Sequence, residues 1–444
     1  MKLAKLFTIG FVALSMSFAG CANPTQVTEK ETDSKVDSSA QTEDGDGEEK
    51  KAMSGQAKTA SSGMPAEKPL STQEVPEIIE SELELIFGGH TLIAGSEVSL
   101  SPVAKAEWIQ GEAPESFEPG KVYIFECWST KCGPCMAMIP HVNELHKKYY
   151  DKGLRIYGMS VYENDMQECK DFVKEKGDGM SYPVAFTGKG GPFEAEWMGP
   201  AGAKGIPHAF IVRDGKLLAS TLAERLTDEL VEVLLDGDEG AEKAQTIILA
   251  DQIQKAKIKG LMANIRSARR AGDTETMTAN IEKLKVVEPG YPEIYPEELW
   301  VLMIDEQWPE AVAYLNEMSA SWAKDSFVSM NGMKMARRDN YNYSEDFEKA
   351  LVHSYSDFVH NKEYVGPNHF ACLSILQWRI GEKENATTTA DKMIASAEAF
   401  SNGNESKVTP YVRFKEAVHE GTMPALSDLM DWLREARSAA KPVT

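Results

Sequence analysis

The run KVYIFECW (Lys121 to Trp128) is continuously apolar and β-prone, and it stops four residues short of Cys132-Gly133-Pro134-Cys135, after which a helix-forming segment begins. A buried strand that feeds a helix through two cysteines one turn apart admits few arrangements. The pair is a redox couple, half of a metal site, or a structural staple. A zinc ribbon needs a second CxxC or a Cys/His pair at similar spacing, and the chain has none. Haem attachment needs His directly after the second cysteine, where Met136 stands. A redox couple is expected between a strand and a helix of a βαβ unit, and that context is present. Placing Cys132 at the helix start aims unpaired backbone N–H groups and the positive dipole end at its sulfur, which favours thiolate over thiol. Cys135, one turn in, is expected to be more buried and able to attack a mixed disulfide formed at Cys132. No metal and no cofactor is expected.

The flanking pattern alternates strand and helix. The strand Lys121 to Trp128 is entered through the turn signal Pro119-Gly120, and MAMIPHVNELHKKYYDKG (Met136 to Gly153) reads as a helix. LRIYGMSVY (Leu154 to Tyr162) reads as a second strand, and Asn164 or Asp165 as the cap of a second helix. SYPVAF (Ser181 to Phe186) and a Gly-rich loop lead to GIPHAFIVRDGKLLAS (Gly205 to Ser220), a hairpin turning at Arg213-Asp214-Gly215-Lys216. LTDELVEVLLDG (Leu226 to Gly237) closes the unit as a helix, for an order β-α-β-α-β-β-α. Before it, PEIIESELELIF (Pro76 to Phe87) is a short amphipathic stretch. From about Ala241 the pattern is almost wholly helical. Three segments there look alike: RRAGDTETMTANIEKL, MIDEQWPEAVAYLNEM and RIGEKENATTTADKM. Gly272 and Glu306 lie 34 apart and Gly381 a further 75 on, near twice that period. This resembles tetratricopeptide-like helical hairpins, with an irregular helical bundle as the other reading.

Lys2 and Lys5 precede a thirteen-residue apolar run, Leu6 to Phe18, too short to span a bilayer and built like a secretory signal. Its end, Phe18-Ala19-Gly20-Cys21, resembles the bacterial lipobox, which implies diacylation of Cys21 and a membrane-anchored protein. Ala22, rather than Asp, favours the outer membrane if the cell has two membranes. Residues 22 to 74 contain no Phe, Trp or Tyr and read as a disordered acidic tether. The expected organisation is therefore 1–20 signal peptide, 21–74 tether, 75–240 α/β domain and 241–444 helical domain. With 444 residues, an apolar fraction of 42% and a formal charge of −22, the chain can bury real cores but lacks the basic surface that nucleic acid demands.

The segment from about Val98 to Leu235 resembles the thioredoxin-fold domain of TlpA/ResA-like exported thiol–disulfide oxidoreductases. The resemblance rests on Cys132-Gly133-Pro134-Cys135, Trp128 four residues before Cys132, Pro140 inside the active-site helix, and Ile206-Pro207 at the family's cis-proline site. It implies a central mixed sheet flanked by helices and catalysis through Cys132 and Cys135. It also implies substrate contacts at Ile206, Pro207 and Trp128, with a core residue packed beside the site as the other reading of Trp128, and a buried acid at Glu126. A carboxyl inside a strand run should have a raised pKa and could exchange a proton with Cys135. Gly-Pro between the cysteines matches strongly reducing thioredoxins, with a potential of about −270 mV. The expected partners are exported client proteins with disulfides and a membrane electron donor. Lys131 replaces the family's usual Trp and is expected to favour the thiolate further. His208 is read as a substrate contact or an exposed hairpin histidine, and Cys127, Cys169 and Cys372 as core residues. Two rival functions are a thiol peroxidase, for which Ser129 fits but Phe125 stands where Pro is needed, and a tethered scaffold whose helical half binds a partner protein.

Overall fold

The structure, a computed structural model, describes residues 70–73, 76–338, 342–362 and 365–439. The signal segment, Cys21 and all but the last few tether residues lie outside these. Leu70, assigned to the tether, packs half-buried against the core of the α/β domain.

The sheet is built around the run that the sequence marks most strongly. In chain order the elements are α1 (Glu80–Phe87), α2 (Ser101–Ala104), β1 (Glu107–Gln110), β2 (Val122–Trp128), α3 (Gly133–Tyr149), β3 (Leu154–Val161) and α4 (Met166–Lys176). They continue with β4 (Val184–Gly188), β5 (His208–Arg213), β6 (Lys216–Thr221) and α5 (Asp228–Leu235). The six strands lie in the order β1-β4-β3-β2-β5-β6. β2 runs parallel to β3 and antiparallel to β5, and every one of its residues is buried. Alternation along a strand then sorts its side chains. Val122, Ile124 and Trp128 join a core with Cys135, Ile139 and Leu230 on the α3–α5 side. Tyr123, Phe125 and Cys127 join Phe193, Trp197 and Phe210 on the other. The sheet is therefore a two-sided, mixed thioredoxin-like fold.

Local signals place the turns. Asp165 caps α4 by accepting the Gln167 amide at 2.7 Å. The β5–β6 turn puts Asp214 and Gly215 at φ 49° and 75°, the left-handed pair that two-residue hairpins favour. The strand count exceeds the sequence reading. SYPVAF contributes β4, so three strands precede the closing helix, and β1 adds an antiparallel edge strand. β1 is only four residues long and only partly buried, which leaves too little apolar pattern to recognise.

The helical part comprises α6 (Gly237–Ala271), α7 (Thr274–Val287), α8 (Ile294–Ile304), α9 (Trp308–Glu317) and α10 (Trp322–Ala336), then α11 (Glu345–Asn361), α12 (Pro367–Arg379), α13 (Lys383–Ser401), α14 (Glu405–His419) and α15 (Leu426–Ala439). Each of the three look-alike segments joins two helices through a left-handed residue: Gly272 at φ 72°, Glu306 at 55° and Gly381 at 89°. The boundary expected at 240/241 falls inside α6, a single helix of 35 residues. Its first turns belong to the sheet domain, because Ala244 and Ile248 are fully buried in the α3–α5 core. Ile248→Ala should therefore destabilise the α/β domain by about 2–5 kcal/mol, the usual cost of such a cavity. Chemical unfolding followed by tryptophan fluorescence measures it, and a change under about 1 kcal/mol would place α6 outside that core.

Candidate active site

α3 begins one residue after Cys132. That cysteine is the N-cap, in extended conformation, and its sulfur accepts the Cys135 amide at 3.2 Å. The two are joined by a disulfide with a Cα–Cα distance of 5.2 Å. Cys132 is half-buried and Cys135 fully buried, so an incoming group reaches Cys132 first. Gly133 and Pro134 between them are exposed. The helix dipole and the free first-turn amides act on a Cys132 thiolate once the disulfide opens. Pro140 lies inside α3 and supplies no N–H to the turn before it.

The Ile206–Pro207 peptide bond is cis. It leads into β5 beside β2, and the Ile206 carbonyl oxygen stands 3.8 Å from the Cys132 sulfur. Chain segments 74 residues apart in sequence thus meet at the sulfur. Ile206 and Pro207 are half-buried, leaving part of each open next to Cys132.

Glu126 is 1% exposed, and neither carboxyl oxygen has a hydrogen-bond partner among the described residues. Burial pushes its pKa up to about 8, so the carboxyl is protonated at neutral pH. Strand alternation turns it to the same side as Ile124, Trp128 and Cys135. Gly158 faces it across β3, and a Cβ at Gly158 would come within 2.9 Å of the Tyr182 ring and 3.1 Å of the Trp128 indole nitrogen. The Tyr182 hydroxyl and the Trp128 N–H also lack partners among the described residues. Burial, with the Glu126 charge adding to it, raises the Tyr182 pKa well above its usual value. Three buried polar groups thus collect around one glycine that leaves them room. Buried polar atoms without partners are uncommon and ask for a chemical reason.

Of the two readings of Trp128, substrate contact and core residue beside the site, its burial fits the second. It is fully buried and packs on Phe172 with ring centroids 5.3 Å apart, so it supports the site from within. Lys131 also differs from expectation. Its ammonium pairs with Glu168 at 2.9 Å, and the carboxylate offsets the charge that was to favour the Cys132 thiolate. His208 is not an exposed hairpin residue. Its Nε2 lies 2.6 Å from the Ser220 hydroxyl, and burial lowers its pKa to about 4. Cys127, Cys169 and Cys372 are free and buried, and burial raises all three thiols above their usual range.

One residue near the site escaped the sequence reading. Glu163 is 2% exposed, and its carboxylate accepts the Thr130 amide, two residues before Cys132. Its own carbonyl accepts the Lys189 amide at 2.9 Å. Glu163 sits after a strand and before a helix cap, where an acid carries no distinguishing signal. Among the described residues, no three His, Cys, Asp or Glu side chains form a group able to hold a metal.

No protein-family model matches the chain. Over 116 residues it is 34% identical to the thiol-disulfide oxidoreductase ResA of Bacillus thuringiensis subsp. konkukian, a match covering 26% of this chain and 62% of that protein. The ResA of Bacillus anthracis is 32% identical over 112 residues, covering 25% and 60%. Protein FixW of Rhizobium leguminosarum is 26% identical over 165 residues, covering 35% and 73%. The chain thus spans less than two thirds of the length of these two Bacillus ResA proteins. Among solved structures, StoA from Bacillus subtilis is 19% identical with a TM-score of 0.21, covering 24% of this chain and 81% of that one. A DsbF homologue from Corynebacterium diphtheriae is 17% identical with a TM-score of 0.26, covering 34% and 87%. The chain carries a ResA-like thioredoxin-fold domain, with Cys132 and Cys135 at the head of its first long helix.

Proposed function

We propose that the protein catalyses thiol–disulfide exchange on exported client proteins and acts as a reductase. The observation that carries this reading is the disulfide between a half-buried N-cap Cys132 and a buried Cys135, set against the cis Ile206–Pro207 bond. In the reduced protein, the Cys132 thiolate attacks a client disulfide. One client sulfur leaves as a thiolate, and a mixed disulfide forms. Cys135 then loses its proton, attacks the Cys132 sulfur and releases the second client thiol. Two electrons pass to the client and the Cys132–Cys135 disulfide is left behind. Glu126, buried on the same side as Cys135 and ionised in only a minor fraction at neutral pH, is the group assigned to take up the Cys135 proton in that ionised form and to return it. A membrane electron donor returns the pair to the dithiol. Reduction rather than oxidation is favoured by the Gly133-Pro134 dipeptide. The reduction potential of the pair decides direction: a value of about −270 mV supports a reductase, and one near −120 mV would make the protein an oxidant.

The lipobox-like Phe18-Ala19-Gly20-Cys21 and the tether of similar composition to a flexible linker support anchoring through acyl chains on Cys21, in the outer membrane of a two-membrane cell. Cys21→Ser is expected to move the protein from the membrane to the soluble fraction or to block its processing. Wild-type protein that carries no added lipid mass after export would defeat the anchor.

A further inference from the structure

β5, the strand that Pro207 leads into, is supported unequally on its two sides where it begins. Its first residue, His208, faces Cys127 on β2. On the other side the ladder with β6 starts one residue later, with Ala209 opposite Thr221. A side chain makes the missing link. The His208 Nε2 and the Ser220 hydroxyl lie 2.6 Å apart, and the imidazole packs edge-to-face on Phe210 with ring centroids 5.1 Å apart. His208 directly follows Pro207, and the Ile206 carbonyl on the far side of the cis bond stands 3.8 Å from the Cys132 sulfur. The backbone beside the reacting sulfur is thus tied to β6 through one imidazole.

Ser220 is itself held by α6. β6 is the last strand of the sheet on this side, and two glutamines of α6 bond to its carbonyls. Gln245 donates to the Leu218 carbonyl at 2.9 Å and Gln252 to the Ser220 carbonyl at 2.6 Å. Seven residues are about two helical turns, so both amides lie on one face of the helix. Asp251, next to Gln252, pairs with Arg225 at 3.0 Å and fixes the turn that follows β6. Ser220 therefore joins two bonds of different origin. Its hydroxyl meets the residue after Pro207, and its carbonyl meets the helix that opens the helical part. Further along α6, Met262 and Ile265 enter a core with Met277 and Ile281 of α7, so the same helix is anchored in both parts.

The structure assigns His208, Ser220 and Gln252 as positioning residues that hold the cis-proline edge in place for an incoming client. This rests on the thiol–disulfide reading above. Exchange requires a client sulfur close to Cys132 and aligned with it. A client segment lying along Ile206 and Pro207 is aligned at least cost when that backbone is already fixed, because nothing then has to be ordered on binding. The start of β5 lacks a ladder partner on β6, and the imidazole–hydroxyl bond takes its place. Gln252 in turn keeps Ser220 from moving with the sheet edge. The three act through the backbone of Ile206 and Pro207 and not on the sulfurs. The helical part is thereby a fixed component of the edge that receives the client.

Single-turnover reduction of a synthetic disulfide-linked peptide by the full-length reduced protein, over a range of peptide concentrations, separates binding from chemistry. Ser220→Ala and Gln252→Ala are each expected to raise the half-saturating concentration about threefold to tenfold, the worth of one hydrogen bond. The limiting rate should stay within about twofold. The double variant should be no worse than Ser220→Ala alone, since Gln252 reaches His208 only through Ser220. His208→Phe should match Ser220→Ala, whereas His208→Gln, which keeps a polar nitrogen at similar reach, should recover wild-type binding. Half-saturation unchanged in both single variants, a double variant equal to the product of the singles, or a fall confined to the limiting rate would each overturn the assignment. Gln252 is half-buried on a helix outside the sheet, so its variant stays readable if a strand variant unfolds. Wild-type protein that fails to reduce the peptide would instead overturn the redox reading itself.

Discussion

Cys132→Ser reduces client disulfides no faster than the uncatalysed reaction, whereas Cys135→Ser still attacks and then stalls with the client held on Cys132. These are the expected results, and they follow from the unequal exposure of the two sulfurs. Cys132 is half-buried at the helix N-cap and is the only one of the pair an incoming disulfide can reach, while Cys135 is fully buried. Resolution by Cys135 is intramolecular, and its loss should slow client release by on the order of 10³-fold or more, since well-placed neighbouring groups act at very high effective concentration. Non-reducing electrophoresis and intact mass detect the adduct. Adduct that persists unchanged in the Cys132→Ser, Cys135→Ser double variant would have to sit on Cys21 or on one of the three buried thiols Cys127, Cys169 and Cys372, and the assignment of Cys132 would fail. The buried state of those three thiols argues for the opposite outcome.

The parts of this site that were legible in the sequence are those where one short segment carries the whole signal. β2 is buried on both faces, so it appears as an apolar run broken only by Glu126, and the cysteine pair follows at the turn that leads from this strand into α3. Glu126 was legible for the same reason, as a charge standing inside that run. Glu163 was not, because its meaning depends on the fold bringing residue 163 to the Thr130 amide. Position alone did not decide the roles of Trp128 and Lys131. Whether an indole points into a core or out to a client, and whether a lysine finds Glu168 nearby, are matters of tertiary packing. The start of α6 shows the same limit at larger scale. Gln245, Thr246, Ile247, Ile248 and Leu249 are all buried in succession, because this stretch is embedded against β6 and α5 rather than lying on a surface. Periodicity reports that a helix forms there and is silent about which core receives it.

Glu126→Gln should raise stability at pH 7 by about 3 kcal/mol and slow exchange by about 10²-fold, gains and losses from the same buried proton. In the fold the carboxyl keeps its proton up to a pH of about 8, against an ordinary value of 4.5 in the unfolded chain. Between those limits the unfolded chain has lost the proton that the native state still binds. Stability therefore falls as pH rises from about 4.5 to about 8 and levels off above, and at pH 7 the accumulated loss is about 3 kcal/mol. Glutamine fills the same space with no proton to lose, so the difference between variant and wild type should vanish below about pH 4.5. His208 works in the other direction. Burial lowers its pKa from 6.5 to about 4, so its contribution is present above 6.5 and is lost as pH falls towards 4. That acid limb should survive in the variant, which separates the two groups within one set of denaturation curves. The kinetic loss arises because Cys135 must shed its proton inside a core that offers no solvent. Equal stabilities of variant and wild type from about pH 5 to 8 would mean that Glu126 is charged in the native protein, able to accept a proton but holding none to return to Cys135.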